Sequence, residues 1–150
     1  MQYAVAADGV DGATSLPTRT QFRRWVRAAL ATDMTVTVRI VGEAEGRRLN
    51  ADYRGKALAT NVLSFSYGDQ QPVAGDIVLC APLLRREAFT QDKPLAAHYA
   101  HLTVHGMLHL QGYDHQRDSD ANRMERLETV ILRRLGYGDP HAETRMKDEG

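Results

Sequence analysis

The chain has 150 residues, 43% hydrophobic and 25% charged, which fits one globular domain able to bury a core without staples. Its 19 Lys and Arg balance its 19 Asp and Glu, so it lacks the global field of a strongly basic nucleic-acid binder, and any such binding must use a local patch. The single cysteine, Cys80, excludes an internal disulfide framework and a thiolate-rich metal site, and suits a reducing compartment. The first residues have no basic stretch leading into an apolar one, and no run of about 18 apolar residues occurs, so the expectation is a soluble cytoplasmic protein without a membrane partner.

Gln2 to Ala7 reads as a short strand and Asp8 to Ser15 as a loop. A first helix is expected from Pro17 and Thr18, where Thr18-x-x-Gln21 has the form of a capping box. Its apolar positions Phe22, Trp25, Val26, Ala29 and Leu30 recur at helical spacing, with Arg23, Arg24 and Arg27 on a solvated face. Met34 to Val41 alternates and is β-branched, a strand with one polar face. A helix from Gly42 to Tyr53 is broken by Arg54-Gly55-Lys56; Thr60 to Ser66 and Gly75 to Cys80 are strands on either side of a loop at Gly68 to Pro72. Pro82 opens a helix to Thr90, Pro94 another to Gln111, and Asp118 or Ser119 caps a last one ending near Leu135-Gly136. Four strands, mostly in the first half, and about five helices predict an α+β fold: a small four-stranded mixed sheet packed with helices.

The most informative stretch is His105-Gly106-Met107-Leu108-His109-Leu110-Gln111-Gly112-Tyr113-Asp114-His115. Residues four apart share a helix face, so His105 and His109 point the same way. Gly112 can end the helix in a left-handed conformation, and the returning chain brings His115 toward the pair. Three imidazoles with a fourth position open describe a catalytic zinc site better than a structural one, although nickel, iron and manganese also accept imidazoles. Asp114 can serve as an oxygen ligand or orient a ligating histidine by a hydrogen bond. His98 and His101 lie near the same stripe. His101 and His109 are about 12 Å apart along the axis, too far for one ion with bonds of about 2.0–2.1 Å. The pair next to Gly112 is therefore preferred. His101 is left to back a ligand or face the substrate, and His98 to act as an ordinary amphipathic helix residue.

The spacing matches the long zinc signature of the metzincin proteases, a metzincin-like zinc helix, but Gly106 stands where those enzymes carry their general-base Glu. That counts against peptide hydrolysis by the usual route. A second cluster, Arg47-Arg48-Leu49-Asn50-Ala51-Asp52-Tyr53-Arg54-Gly55-Lys56 and then Thr60-Asn61, gathers cations and hydrogen-bonding side chains at a helix end. Arg47 and Arg48 read as solvated surface. Arg54, just before a glycine turn, can present its planar fork to a phosphate.

These two blocks resemble those of the YbeY family of bacterial metal-dependent endoribonucleases that act in ribosomal RNA maturation. The eleven-residue histidine motif carries most of the likeness. Leu49 to Lys56, Thr60 to Phe65, Gly75-Asp76-Ile77-Val78 and Leu135-Gly136-Tyr137 fit as well, over about residues 36 to 140. The resemblance implies one zinc ion held by His105, His109 and His115, with Arg54 as the functional arginine beside it. It also implies single-stranded RNA as substrate and the small ribosomal subunit, with its assembly proteins and 16S rRNA 3′ end maturation and quality control, as the setting. The expected catalytic residues are Arg54 and His105, and the expected substrate contacts Arg54, Lys56, Asn61 and His101. A single catalytic domain is expected over 1–137, with a flexible tail over 138–150. Two other readings fit these residues: a zinc hydrolase of another substrate, peptidase-like with an unconventional base, and a non-catalytic ribosome-assembly factor with structural zinc.

Overall fold

The computed structural model describes residues 1–5, 16–54, 60–67, 73–113, 118–138 and 140; the side chains of Tyr53, Arg54, Val73, Asp118 and Asp120 also fall outside the description. The elements run β1 (Gln2–Val5), α1 (Arg19–Ala28), β2 (Met34–Val41), α2 (Glu43–Arg54), β3 (Val62–Ser66), β4 (Val73–Cys80), α3 (Ala81–Thr90), α4 (Leu95–Leu110) and α5 (Asp118–Arg134). The α+β expectation of four strands and five helices holds among these residues. Asp118 is the first residue of α5 rather than its cap. The expected loops at Asp8 to Ser15 and Gly68 to Pro72, and nearly all of the expected tail, lie outside the described residues.

The strands lie in the order β1-β2-β4-β3. β1, β2 and β4 are parallel and β3 is antiparallel to β4, with Leu63 opposite Val78 and Phe65 opposite Asp76. β4 is flanked on both edges and buried on both faces, as its run of Ile77, Val78, Leu79 and Cys80 requires. Side chains alternate across a strand, so Ile77 and Leu79 join the main core while Val78 and Cys80 join a smaller one with Leu63 and Leu49 of α2. Thr18 and Gln21 make the expected reciprocal cap of α1. Below that cap Phe22 meets Trp25 edge to face at 5.1 Å and Tyr99 of α4 at 6.0 Å.

The consequence for function is the placement of α4. It is buried on most of its circumference, with Ala100, Val104 and Met107 inaccessible to solvent and Leu102, Leu108 and Leu110 nearly so. His101, His105 and His109 form the half-buried stripe that remains. Gln111 locks the helix end: its Nε2 donates to Ala29 O at 2.7 Å, and its Oε1 accepts from Ala31 N–H at 2.7 Å. The site is thus mounted on the most firmly held helix of the described fold.

Candidate metal centre

The centre starts from the end of α4. Gly112 adopts φ +96°, its N–H bonds to His109 O at 3.0 Å, and Tyr113 N–H bonds to Leu108 O at 3.0 Å. This is the paired-bond helix stop expected of a left-handed glycine, and it places the departing chain one turn from His109. Within the helix, His105 Nε2 and His109 Nε2 stand 3.1 Å apart, with ring centroids 4.6 Å apart. Two nitrogens on a tetrahedral zinc with bonds of about 2.0–2.1 Å are separated by about 3.3 Å, so the observed pair fits a shared metal with little adjustment. His101 and His105 have ring centroids 6.3 Å apart, and the ring of His101 is turned to a different partner.

That partner is Glu128 of α5, whose carboxylate contacts His101 Nε2 at 3.2 Å through Oε2 and His105 Nδ1 through Oε1. Among the described residues, it is α5 that supplies a carboxylate to these histidines, from across the helix interface. A clue was present in the sequence: Met124, Glu128, Ile131, Leu132 and Leu135 occupy one helical stripe, and a charge among apolar positions must find partners.

Gly106 faces the sheet. A Cβ there would stand 3.1 Å from Ser64 Oγ and 3.2 Å from Ile77 Cγ2. The missing Glu therefore reflects close contact of α4 with β3 and β4, where a longer side chain would collide. In front of His105 and His101 lies a cavity of about 260 Å³. Val62, Leu102 and Met124 give it apolar walls, and Asn61, Glu125 and Glu128 add polar groups, a composition suited to ligand binding.

Asn61 is held by a second carboxylate–histidine arrangement. Its Nδ2 donates to both oxygens of Glu87 at 3.3 Å, and Glu87 also meets His98 Nε2 at 3.0 Å. The bond to His98 lowers the Glu87 pKa, burial opposes it, and the bond from Asn61 adds to the lowering. His98 is only 3% exposed, so it lies on the buried face of the amphipathic helix. Arg47 and Arg48 are exposed, and Arg48 reaches Glu45 at 3.6 Å, as a solvated face would have it.

The family model described as Endoribonuclease YbeY matches residues 13–136. The chain belongs to the YbeY family. The match begins earlier than the motifs alone suggest, taking in α1. Among relatives named Endoribonuclease YbeY, that of Aromatoleum aromaticum is 57% identical over 136 residues, covering 91% of this chain and 88% of its own. That of Nitrosomonas europaea is 60% identical over 128 residues, covering 85% and 78%. The solution structure of TM1509 from Thermotoga maritima shares the fold with a TM-score of 0.62 at 24% identity, over 98% of this chain and 93% of that one.

Of the residues expected from the sequence, His101, His105 and Asn61 line one cavity, and His109 meets His105 beside it. Asp114, His115 and Lys56 lie outside the described residues, and Arg54 is placed only as the last residue of α2. No helix among the described residues is long and apolar enough to cross a membrane.

Proposed function

We propose that this YbeY-family chain is a zinc-dependent endoribonuclease of single-stranded RNA. It would act in the cytoplasm on the 3′ end of 16S rRNA and in ribosome quality control, with the small subunit and its assembly proteins as partners. The observation that carries the metal part is the convergence of His105 Nε2 and His109 Nε2 to 3.1 Å beside a cavity. RNA as substrate is supported by the name that the relatives bear.

His105, His109 and His115 would hold the ion, the last from the segment that follows the Gly112 turn. A zinc ion so held supplies Lewis-acid polarisation of a substrate oxygen. The chain's own groups do the rest. Arg54 offsets the negative charge that builds on the phosphoryl group, and Lys56 and Asn61 orient the strand. The apolar wall formed by Val62, Leu102 and Met124 receives the face of a base or ribose. With charges balanced overall, few phosphates are engaged and the salt dependence of binding is shallow.

The peptidase-like alternative is weakened by Gly106, because the position of the usual base packs against Ser64 and Ile77. The test is cleavage of a single-stranded RNA and of a peptide library by wild type, His109→Ala and Arg54→Ala. RNA cleavage lost in both variants supports the proposal. Peptide cleavage alone, or equal RNA cleavage by all three, refutes it.

A further inference from the structure

Glu128 is separated from His105 by 23 positions and from His101 by 27, and its side chain is 2% exposed between α4 and α5. A carboxylate so far from water needs donors on both oxygens, and the two imidazoles provide them. For His105 this has a chemical consequence. A neutral imidazole carries one N–H, and an acceptor-only carboxylate on Nδ1 keeps that proton there. Nε2 is left with its lone pair, and Nε2 is the atom that faces His109 at 3.1 Å. A metal ion takes a lone pair, not an N–H.

We propose that Glu128 is the positioning residue of the centre, a role that rests on the metal reading above. It holds His105 as the Nδ1–H tautomer and fixes the ring so that Nε2 points into the space shared with His109. The same carboxylate fixes the His101 ring at Nε2, while helix spacing keeps that imidazole out of the ligand set. α5 thereby becomes part of the centre, although it contributes no ligand of its own.

The test uses the full chain as wild type, Glu128→Gln and Glu128→Leu, with circular dichroism melts to restrict the comparison to folded protein. Zinc affinity is read by competition with a chromophoric chelator, and the His105 tautomer by long-range ¹H–¹⁵N spectra of the metal-free protein at about pH 8.5, above the ordinary imidazole range. The expected result is Nδ1–H at His105 in wild type, a zinc affinity lower by about 10–100-fold in Glu128→Leu, and partial recovery in Glu128→Gln, whose amide oxygen can still accept. If Glu128→Leu does not fold, an intermediate loss in Glu128→Gln carries the same conclusion. A folded Glu128→Leu or Glu128→Gln variant with wild-type zinc affinity, or wild-type His105 protonated at Nε2, overturns the proposal. A wild-type chain that holds Nδ1–H at His105 yet binds no zinc refutes the metal reading and with it the positioning role, leaving only the tautomer that Glu128 sets.

Discussion

Two carboxylate–histidine arrangements sit side by side on α4, and they are built for different ends. At one, Glu87 of α3 joins His98 and Asn61, with His98 enclosed at 3% exposure. At the other, Glu128 of α5 joins His101 and His105, and the far nitrogen of His105 meets that of His109. The residue types are the same. What separates them is where the second ring nitrogen points: into protein for His98, and toward another imidazole beside a cavity for His105. A buried histidine–glutamate pair is thus no evidence of chemistry by itself, and the direction of the second nitrogen separates the two roles.

The widest contrast comes from removing one ring on each side. His105→Ala should lower RNA cleavage by more than the roughly 10–100-fold that loss of an outer hydrogen-bond partner costs, and because the buried Glu128 loses a donor it should also lower stability by about 1–3 kcal/mol. His98→Ala should leave the metal centre in place. It strips Glu87 of its main partner, so stability falls by about 1–3 kcal/mol in a denaturant titration while zinc binding persists. Comparable zinc loss in both variants would erase the distinction.

Gly106→Ala probes the support beneath the centre. The added methyl meets the side chains of Ser64 and Ile77 at 3.1–3.2 Å, so they must give by a few tenths of an ångström. That crowding costs about 1–3 kcal/mol, set against the roughly 1 kcal/mol that Ala gains over Gly inside a helix, for a net loss in chemical denaturation. A neutral outcome would show that the Gly106 contact can relax, and the packing account of the missing Glu would fail.

The smallest effect is in pH. Because folding lowers the Glu87 pKa from its ordinary 4.5, the unfolded chain binds the proton more readily. The stabilisation is complete above the ordinary value and is lost as pH falls through the lower, folded one. Glu87→Gln should therefore flatten the acid limb of the stability profile below about pH 4.5 and leave neutral pH zinc binding unchanged. An acid limb as steep as in wild type would mean that other carboxylates set it.

Local patterns made much of this legible. The capping box at Thr18, the alternation of Met34 to Val41 and the glycine stop at Gly112 are encoded within a few residues, and the structure follows them. The stripe of His101, His105 and His109 follows from helical spacing alone. Glu128 and Glu87 were not legible in the same way, since their partners lie 23 and 11 positions away across helix interfaces that no local period reports. The pairing of His98 is hidden for the same reason, since Glu87 lies on α3. At Gly106 the motif shows the absence of the usual base, but the packing against Ser64 and Ile77 is set by the sheet.

The most direct measurement is the zinc stoichiometry of purified wild type, His98→Ala and His105→Ala after equilibration with limiting chelator. The difference between the two arrangements predicts one zinc ion per chain in wild type and in His98→Ala, and none in His105→Ala. Zinc retained by His105→Ala at the wild-type level would contradict it.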